Sequence, residues 1–239
     1  MKEIGNCRII DFKTTSYRDR IIIKYANLSK EFHGRTKHHF PVVKEVKSFD
    51  ADYDISEISF QVLIKNRIAI ADGWIFVDPH SISKHSEIIR RIFKPNKIFL
   101  DHINTLKEQV FSKFDYVIGV HIRRADYATF NKGIWFYSDD DYISFIKQTN
   151  LLPAFKNKKV AFLLCSDEKI SITEIKGFNL IYSTNHFIED LYALSVCDFI
   201  IGPPSTYTSW ASFYGRVPLL RLESKDMKIQ EKDFKIVES

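Results

Sequence analysis

The sequence predicts an α/β protein in two parts, the larger built on a doubly wound parallel sheet. Two observations carry this. The C-terminal half repeats a short apolar run, a turn and a helical stretch, and its apolar runs are continuous rather than alternating, as strands covered on both faces must be. The 239-residue chain is long enough for a sizeable core.

In order, the runs are V-I-G-V-H-I (117–122), V-A-F-L-L-C (160–165), N-L-I-Y-S (179–183), D-F-I-I-G (198–202) and V-P-L-L-R-L (217–222). Between them lie helical stretches: S-D-D-D-Y-I-S-F-I-K-Q, a weaker D-E-K-I-S-I-T-E-I-K-G, then F-I-E-D-L-Y-A-L-S-V-C and S-T-Y-T-S-W-A-S-F-Y-G. Residues 112–239 are therefore expected to form the doubly wound domain. Ligands bind beyond the carboxyl ends of such strands, so the loops after Ile122, Cys165 and Gly202 should share one rim. Residues 1–111 read as a smaller domain. R-I-I-D-F, I-S-F-Q-V-L-I and I-A-I-A suggest strands, and S-K-H-S-E-I-I-R-R-I-F and L-D-H-I-N-T-L-K-E-Q-V-F suggest helices. Ile88, Ile89, Ile92 and Phe93 keep helical spacing, which turns Arg90 and Arg91 outward.

Composition bounds the function. A hydrophobic fraction of 45% and a charged fraction of 27% describe an ordinary soluble domain. The 14% aromatic fraction suits a packed interior and a stacking or sugar-binding surface. A net charge of +5 fits anionic ligands but is too small to argue for nucleic acid. The three cysteines, Cys7, Cys165 and Cys197, have no metal-ligand spacing and read as reduced thiols of an intracellular protein. No signal peptide or apolar run of membrane-spanning length is present, so a cytoplasmic location is expected, which leaves room for peripheral membrane association.

The stretch V-I-G-V-H-I-R-R-A-D-Y poses the chemical question, because an apolar strand runs into His121, Arg123, Arg124 and Asp126. Alternation sends His121 and Arg123 to one side, with Gly119 keeping the backbone beneath them accessible. An arginine fork holds phosphate oxygens through paired charge-assisted bonds; a structural network with Asp126 is the plain alternative. In G-P-P-S-T-Y-T-S-W-A-S-F-Y-G, Ser205 is placed as an N-cap and Gly215 as the residue after the helix. Ser205 and Thr206 would then stand at a helix N-terminus suited to phosphate. Asp190 is either a first-turn carboxylate favoured by the helix dipole or a rim residue that reads a nucleobase or ribose. The S-D-D-D-Y cluster is read as an N-cap with a charged first turn rather than a metal site. His33, His38 and His39 lack partners at ligand spacing. Neither a dinucleotide fingerprint nor a P-loop occurs.

These residues resemble a known family. H-I-R-R-A-D-Y is similar to the His-x-Arg-Arg-x-Asp-Tyr motif of the bacterial α-1,2-fucosyltransferases, glycosyltransferase family 11, shared more loosely with other GDP-fucose fucosyltransferases. G-I-W-F-Y-S-D-D-D-Y resembles the segment after that motif, and L-L-C-S-D-E the family's Phe-Ser-Asp-Asp turn. E-D-L-Y-A-L-S-V-C-D with P-P-S-T-Y-T-S-W-A-S resembles the closing donor-site block. G-W-I-F-V-D-P-H-S resembles the Gly-Tyr-x-Gln-Ser segment that precedes the motif. The resemblance runs from Gly73 to Leu222.

It implies a two-domain, Rossmann-like, B-type glycosyltransferase fold with an abbreviated, acceptor-side N-terminal domain. It also implies inverting transfer from GDP-fucose to a hydroxyl of a glycan or polysaccharide precursor, most simply in α-1,2 linkage, without a metal or other cofactor. Arg123 would hold the diphosphate, with Arg124, Ser166 and Asp167 beside it. His121 would lie near the guanosine, Asp190 would bind the guanine edge, and Ser205 and Thr206 would take phosphate oxygens. Asp126 would act as base or orient Arg124, orientation being the favoured role. Three departures stand out: Ala125 replaces a usual glycine, the opening Gly-x-Gly-Asn-Gln loop has only I-G-N-C as a counterpart, and G-W-I-F-V-D replaces Gly-Tyr-x-Gln-Ser. They motivate an alternative, a degenerate transferase that binds a GDP-sugar without turnover.

Overall fold

The computed structural model describes the strand backbones Glu3–Ile4 (β1), Cys7–Arg8 (β2), Val43–Ser48 (β3), Tyr53–Asp54 (β4), Ile68–Gly73 (β5) and Phe76–Val77 (β6), and residues 78–183 and 186–238. His33, His38 and His39 and the strand expected over 58–64 lie outside the described residues, as does the strand expected at 8–12 beyond Arg8. The chain divides into two compact units, Met1–Ser81 and Ile82–Ser239. In the first, β1 pairs antiparallel with β2, while β3 pairs with β5 and β4 with β6 in parallel.

The second unit is a five-stranded, wholly parallel sheet: Tyr116–Ile122 (β7), Val160–Ser166 (β8), Asn179–Tyr182 (β9), Phe199–Gly202 (β10) and Leu219–Arg221 (β11), in the order β11-β10-β7-β8-β9. The chain lays down β8 and β9 on one side of β7 and then returns to build β10 and β11 on the other. That is the doubly wound order, with its switch point between β7 and β10.

Helices Pro79–Lys84 (α1), Ser86–Ile92 (α2) and Lys97–Gln109 (α3) precede the sheet, and Asp139–Asn150 (α4), Phe187–Leu194 (α5) and Thr206–Gly215 (α6) connect its strands. Strand alternation divides the core between the two faces. Ile118, Val120, Ile122, Phe162 and Leu164 join Tyr142 and Phe145 of α4 on one face. Val117, Ala161, Leu163 and Cys165 join Leu194 of α5 and Ala211 of α6 on the other. All seven residues of β8 are buried, which is why it reads as an unbroken apolar run. Among the described residues, no helix is long and apolar enough to cross a membrane.

Local chemistry explains the helix ends. Ser138 and Asp141 close a reciprocal capping box at α4: Ser138 Oγ accepts from the Asp141 amide at 3.2 Å, and the Asp141 carboxylate accepts from the Ser138 amide at 2.7 Å. The acidic cluster is therefore a helix start, as expected. Gly215 plays a different part from the one its position suggests. It is the last helical residue, and Arg216 takes the left-handed conformation (φ 57°). What requires glycine at 215 is crowding, since a Cβ there would lie 1.8 Å from the Ser195 carbonyl oxygen. Gly119 likewise does not keep backbone open, because Leu194 packs over it and a Cβ would meet Leu194 Cδ2 at 2.5 Å.

Two further expectations fail. Residues 167–177 contain no helix; the alternation of Ile170 and Ile172 with polar residues favours an extended path, and Ile172 and Ile175 anchor it to the core. In α2 the facing is inverted in part: Arg91 is exposed as expected and Ile89 is half-buried. Ile88, Ile92 and Phe93 are exposed, while Arg90 turns inward, donates from Nε to the Phe213 carbonyl at 2.9 Å and lies 4.5 Å from the Phe213 ring centre. A carbonyl in the last turn of α6 and an aromatic face together make a better cation site than water offers alone.

These contacts set an order of tolerance. Gly215→Ala should cost about 3 kcal/mol or more, because its clash is with backbone. Gly119→Ala should cost about 1 kcal/mol, because a Leu194 methyl can shift. Urea unfolding midpoints of the two variants check this ranking.

Candidate functional site

The carboxyl ends of β7 and β10 open the rim at the switch point, and Arg123 stands at its centre, one residue beyond β7. Its Nη1 bonds Asp167 Oδ2 at 2.5 Å, its Nη2 bonds Asp126 Oδ1 at 2.7 Å, and its guanidinium carbon lies 5.5 Å from the Tyr127 ring centre. The Arg123 amide donates to the Tyr142 hydroxyl at 3.1 Å. Asp167 spends its second oxygen on the Arg124 amide at 3.0 Å. The Arg124 guanidinium turns to Asp139 in the first turn of α4. The expected link between Asp126 and Arg124 is not formed; Asp126 orients Arg123 instead, because Asp139 already holds Arg124.

The second wall is the turn after β10. Pro203 and Pro204 lead into Ser205, whose extended backbone (φ −154°, ψ 138°) and side chain cap α6, Oγ accepting from the Tyr207 amide at 3.1 Å. The Ser205 carbonyl also accepts from the Thr208 and Ser209 hydroxyls. Thr206 is exposed at the first helical position. Tyr127 ties this wall to Arg123 by donating its hydroxyl to the Pro204 carbonyl at 2.5 Å while its ring lies beneath the guanidinium. A helix N-terminus and an arginine therefore share one edge of the rim, and both favour an anion.

His121 lies deeper than its partner in the motif. It is 5% exposed, its ring stacks on Tyr207 with centroids 5.0 Å apart and planes at 27°, and its buried Nδ1 has no hydrogen-bond partner. Gly202 makes room for it, since a Cβ there would be 3.0 Å from His121 Cβ. Burial, reinforced by the Arg123 charge, lowers the imidazole pKa to about 3, so the ring is neutral.

Asp190 is also withdrawn from water, at 5% exposure, and accepts from Ser183 Oγ at 3.0 Å. Burial pushes its pKa up to about 6, against the Ser183 hydrogen bond, which works the other way. Tyr207 connects this end to α6 by donating its hydroxyl to the Phe187 carbonyl at 2.5 Å. Ser166, 8% exposed, accepts from the Glu168 amide at 3.2 Å and shapes the turn that presents Asp167.

The structure thus gathers His121, Arg123, Asp126, Asp167, Ser205 and Thr206 about one rim. Asp190 joins them through Tyr207, while the Arg124 side chain is drawn off to α4. Sequence reading missed Tyr127 and Tyr207, the residues that tie these parts together. Tyr127 was in view as the last residue of H-I-R-R-A-D-Y, and Tyr207 as the aromatic in an otherwise polar first turn. Among the described residues, no three His, Cys, Asp or Glu side chains are grouped to hold a metal.

A family described as glycosyl transferase family 11 matches residues 92–225, more than half of the chain and all of this rim. The chain belongs to that family. Similar solved structures include a mutant FUT1 of Arabidopsis thaliana in complex with GDP, at 14% identity over 83% of this chain and 58% of that one, with a TM-score of 0.47. NodZ alpha-1,6-fucosyltransferase co-crystallized with GDP matches at 22% identity over 68% of this chain and 58% of that one, TM-score 0.47. NodZ from Bradyrhizobium matches at 21% identity over 69% and 59%, TM-score 0.47. The family 11 chain spans less than two thirds of the length of these structures. No curated protein matches it.

The buried imidazole makes a direct prediction. His121 should show no titration between pH 4.5 and 8 in imidazole ¹⁵N–¹H spectra, whereas exposed histidines titrate near 6.5. Its folded pKa lies below the unfolded one, so its contribution to stability is full above about 6.5 and is lost as the pH falls from there towards 3.

Proposed function

We propose that this family 11 chain transfers fucose from GDP-fucose to a hydroxyl of a glycan acceptor, with inversion, without a metal, and in α-1,2 linkage. The observation that carries the reading is the pairing of Arg123 with the N-terminus of α6 through Tyr127, at the switch point of a parallel sheet in a chain of this family. GDP and GDP-fucose are the ligands named for the similar fucosyltransferase structures. In this reading residues 112–239 form the donor domain and residues 1–111 the smaller acceptor-side domain of a B-type transferase.

The chemistry follows from the residues. Cleaving the bond between the fucose anomeric carbon and the β-phosphate oxygen leaves negative charge on GDP and positive character on the sugar. The Arg123 guanidinium and the first-turn amides of α6, with the Ser205 and Thr206 hydroxyls, stabilise the leaving diphosphate where a metal would otherwise serve. To take phosphate, Arg123 must share or release a carboxylate. Asp126 is the looser of the two, its side chain 59% exposed against 18% for Asp167. Asp126, once displaced, is available to accept the proton of the attacking hydroxyl, while Asp167 keeps the guanidinium and the Arg124 backbone in register. Arg124 acts through the loop it braces against Asp139. The ionised Asp190 accepts from the guanine edge, and neutral His121 flanks the nucleoside.

Titration calorimetry with GDP-fucose, GDP and UDP in the presence of a chelator tests the reading. Guanosine nucleotides should bind and UDP should not, with Arg123→Ala weakening GDP by about 30-fold or more, the worth of one bidentate charged contact. Equal binding of UDP, or no binding of GDP, overturns it.

The base end predicts a pH dependence. Asp190 accepts only when ionised, so GDP affinity should be full above about pH 7 and fall as the pH drops through about 6, reaching roughly a tenfold loss at pH 5. Asp190→Asn should flatten this profile. Stability runs the opposite way: the folded pKa of Asp190 exceeds the unfolded value, so this group makes the fold more stable as the pH falls through 6 towards 4.

A further inference from the structure

Beside Arg123, the loop between β7 and α4 carries a feature that the donor chemistry does not use. Tyr127 stacks on Phe130 with centroids 5.4 Å apart and planes at 29°, and Phe130 meets Trp135 at 6.0 Å and 33°. The base of this ladder is buried, Tyr127 being 7% exposed, but its outer rung is not: Phe130 is 42% exposed and neighbouring Ile134 is 52% exposed. The backbone is bent to hold it so. Asn131 (φ 45°), Lys132 (φ 59°) and Gly133 (φ 73°) are three consecutive left-handed residues, two of them not glycine. A Cβ at 133 would press the Ala128 carbonyl at 3.0 Å. Backbone of this kind is costly and persists where neighbouring structure enforces it, often at ligand clamps. Here it turns the Phe130 ring and Ile134 towards water instead of into the core.

We infer that Phe130, supported by Tyr127 and Trp135, is the floor of an acceptor subsite that stacks against one face of a pyranose ring. The inference rests on the transferase reading above and names the substrate class of its second subsite. The chemistry of a sugar fits the shelf. One face of a pyranose is a patch of C–H groups, electropositive enough to favour the negative face of an aromatic ring, while its rim is all hydroxyl. Phe130 offers the first, and the exposed Asp126, Thr129, Asn131 and Lys132 of the same loop offer polar groups for the second. The ladder is also continuous with the donor side, because Tyr127 lies under Arg123 and bonds Pro204. A ring seated on Phe130 is therefore held on the Asp126 side of the diphosphate position. A protein partner is a poor occupant: two exposed apolar side chains offer at most a few hundred Å², against the roughly 800 Å² per side of a stable interface.

The test uses the full chain with GDP present and four probes: methyl β-galactoside, methyl β-glucoside, methyl α-mannoside and methyl β-N-acetylglucosaminide. Saturation-transfer NMR is recorded on the wild type, Phe130→Ala and Phe130→Tyr, with a GDP titration of each by calorimetry. At least one glycoside should receive saturation, strongest at the protons of one ring face. The signal should fall at least fivefold in Phe130→Ala and persist in Phe130→Tyr, with GDP affinity unchanged within twofold in both. A wild type that binds GDP but no glycoside, or glycoside binding indifferent to Phe130→Ala, overturns the inference and leaves the donor reading standing. A wild type that fails to bind GDP overturns the donor reading and this inference with it.

Discussion

The pairing of β7 with β10 is the constraint on which the rest of the rim depends. The register that sets Ile118 beside Phe199 and Val120 beside Ile201 brings two strands distant in sequence to a common end. From there each chain leaves in a different manner, β7 into an arginine pair and β10 into a proline-stiffened helix cap. Gly202 leaves room for the His121 side chain between them, and Gly119 lets Leu194 of α5 pack directly against β7. The two glycines therefore act as spacing elements of one device. One admits a ring at the rim, and the other lets Leu194 of α5 seat against the strand.

Both arginines at the rim are paired before any ligand arrives. Arg123 and Arg124 meet Asp126, Asp139 and Asp167, three carboxylates for two guanidinium groups. Such a network holds an arginine in a fixed pose, which lowers the ordering cost of binding an anion. It also imposes competition, because an incoming anion must displace a carboxylate or share donors with it. The unequal exposure of Asp126 and Asp167 resolves this, with one partner free to leave and the other fixed by its second bond to the Arg124 amide. Charge pairing and preorganisation here come from the same three residues.

How much of this was legible in the sequence depended on the range of the interaction. The strands, the cap at Ser138 and the helix start at Ser205 could be read because each is decided by neighbouring residues: a run of apolar side chains, or a hydroxyl three positions before a carboxylate. The gathering of His121, Arg123 and Ser205 could be read because doubly wound sheets put such loops at one rim. What could not be read was partner choice between residues far apart. Asp126 pairs with Arg123 because Asp139, thirteen positions on, already holds Arg124. Arg90 turns inward because a last-turn carbonyl and a ring 123 positions away receive it. Gly215 is required by Ser195 and not by its own dihedral angles. The irregular path of 167–177 departs from the expected weak helix for a more local reason, since Ile170 and Ile172 follow a period of two.

The last feature to account for is the contrast between the two ends of the rim. At one end Arg123 is charged and one-third exposed, beside the positive end of α6. At the other, burial drives both titratable groups towards neutrality, lowering the His121 pKa to about 3 and raising that of Asp190 to about 6. Burial alone would neutralise groups at both ends, so the difference lies in what surrounds them: carboxylates and water around Arg123, and the Tyr207 ring, Cys165 and Ser183 around His121 and Asp190. A ligand that suits both ends carries multiple negative charge at one extremity and an uncharged, hydrogen-bonding ring at the other. A nucleoside diphosphate has that polarity. Tyr207 sits where the two environments meet, with its ring on His121, its amide on the α6 cap and its hydroxyl on α5. The spacing between the neutral and the charged end is thereby set by one side chain on the helix whose N-terminus stands beside Arg123.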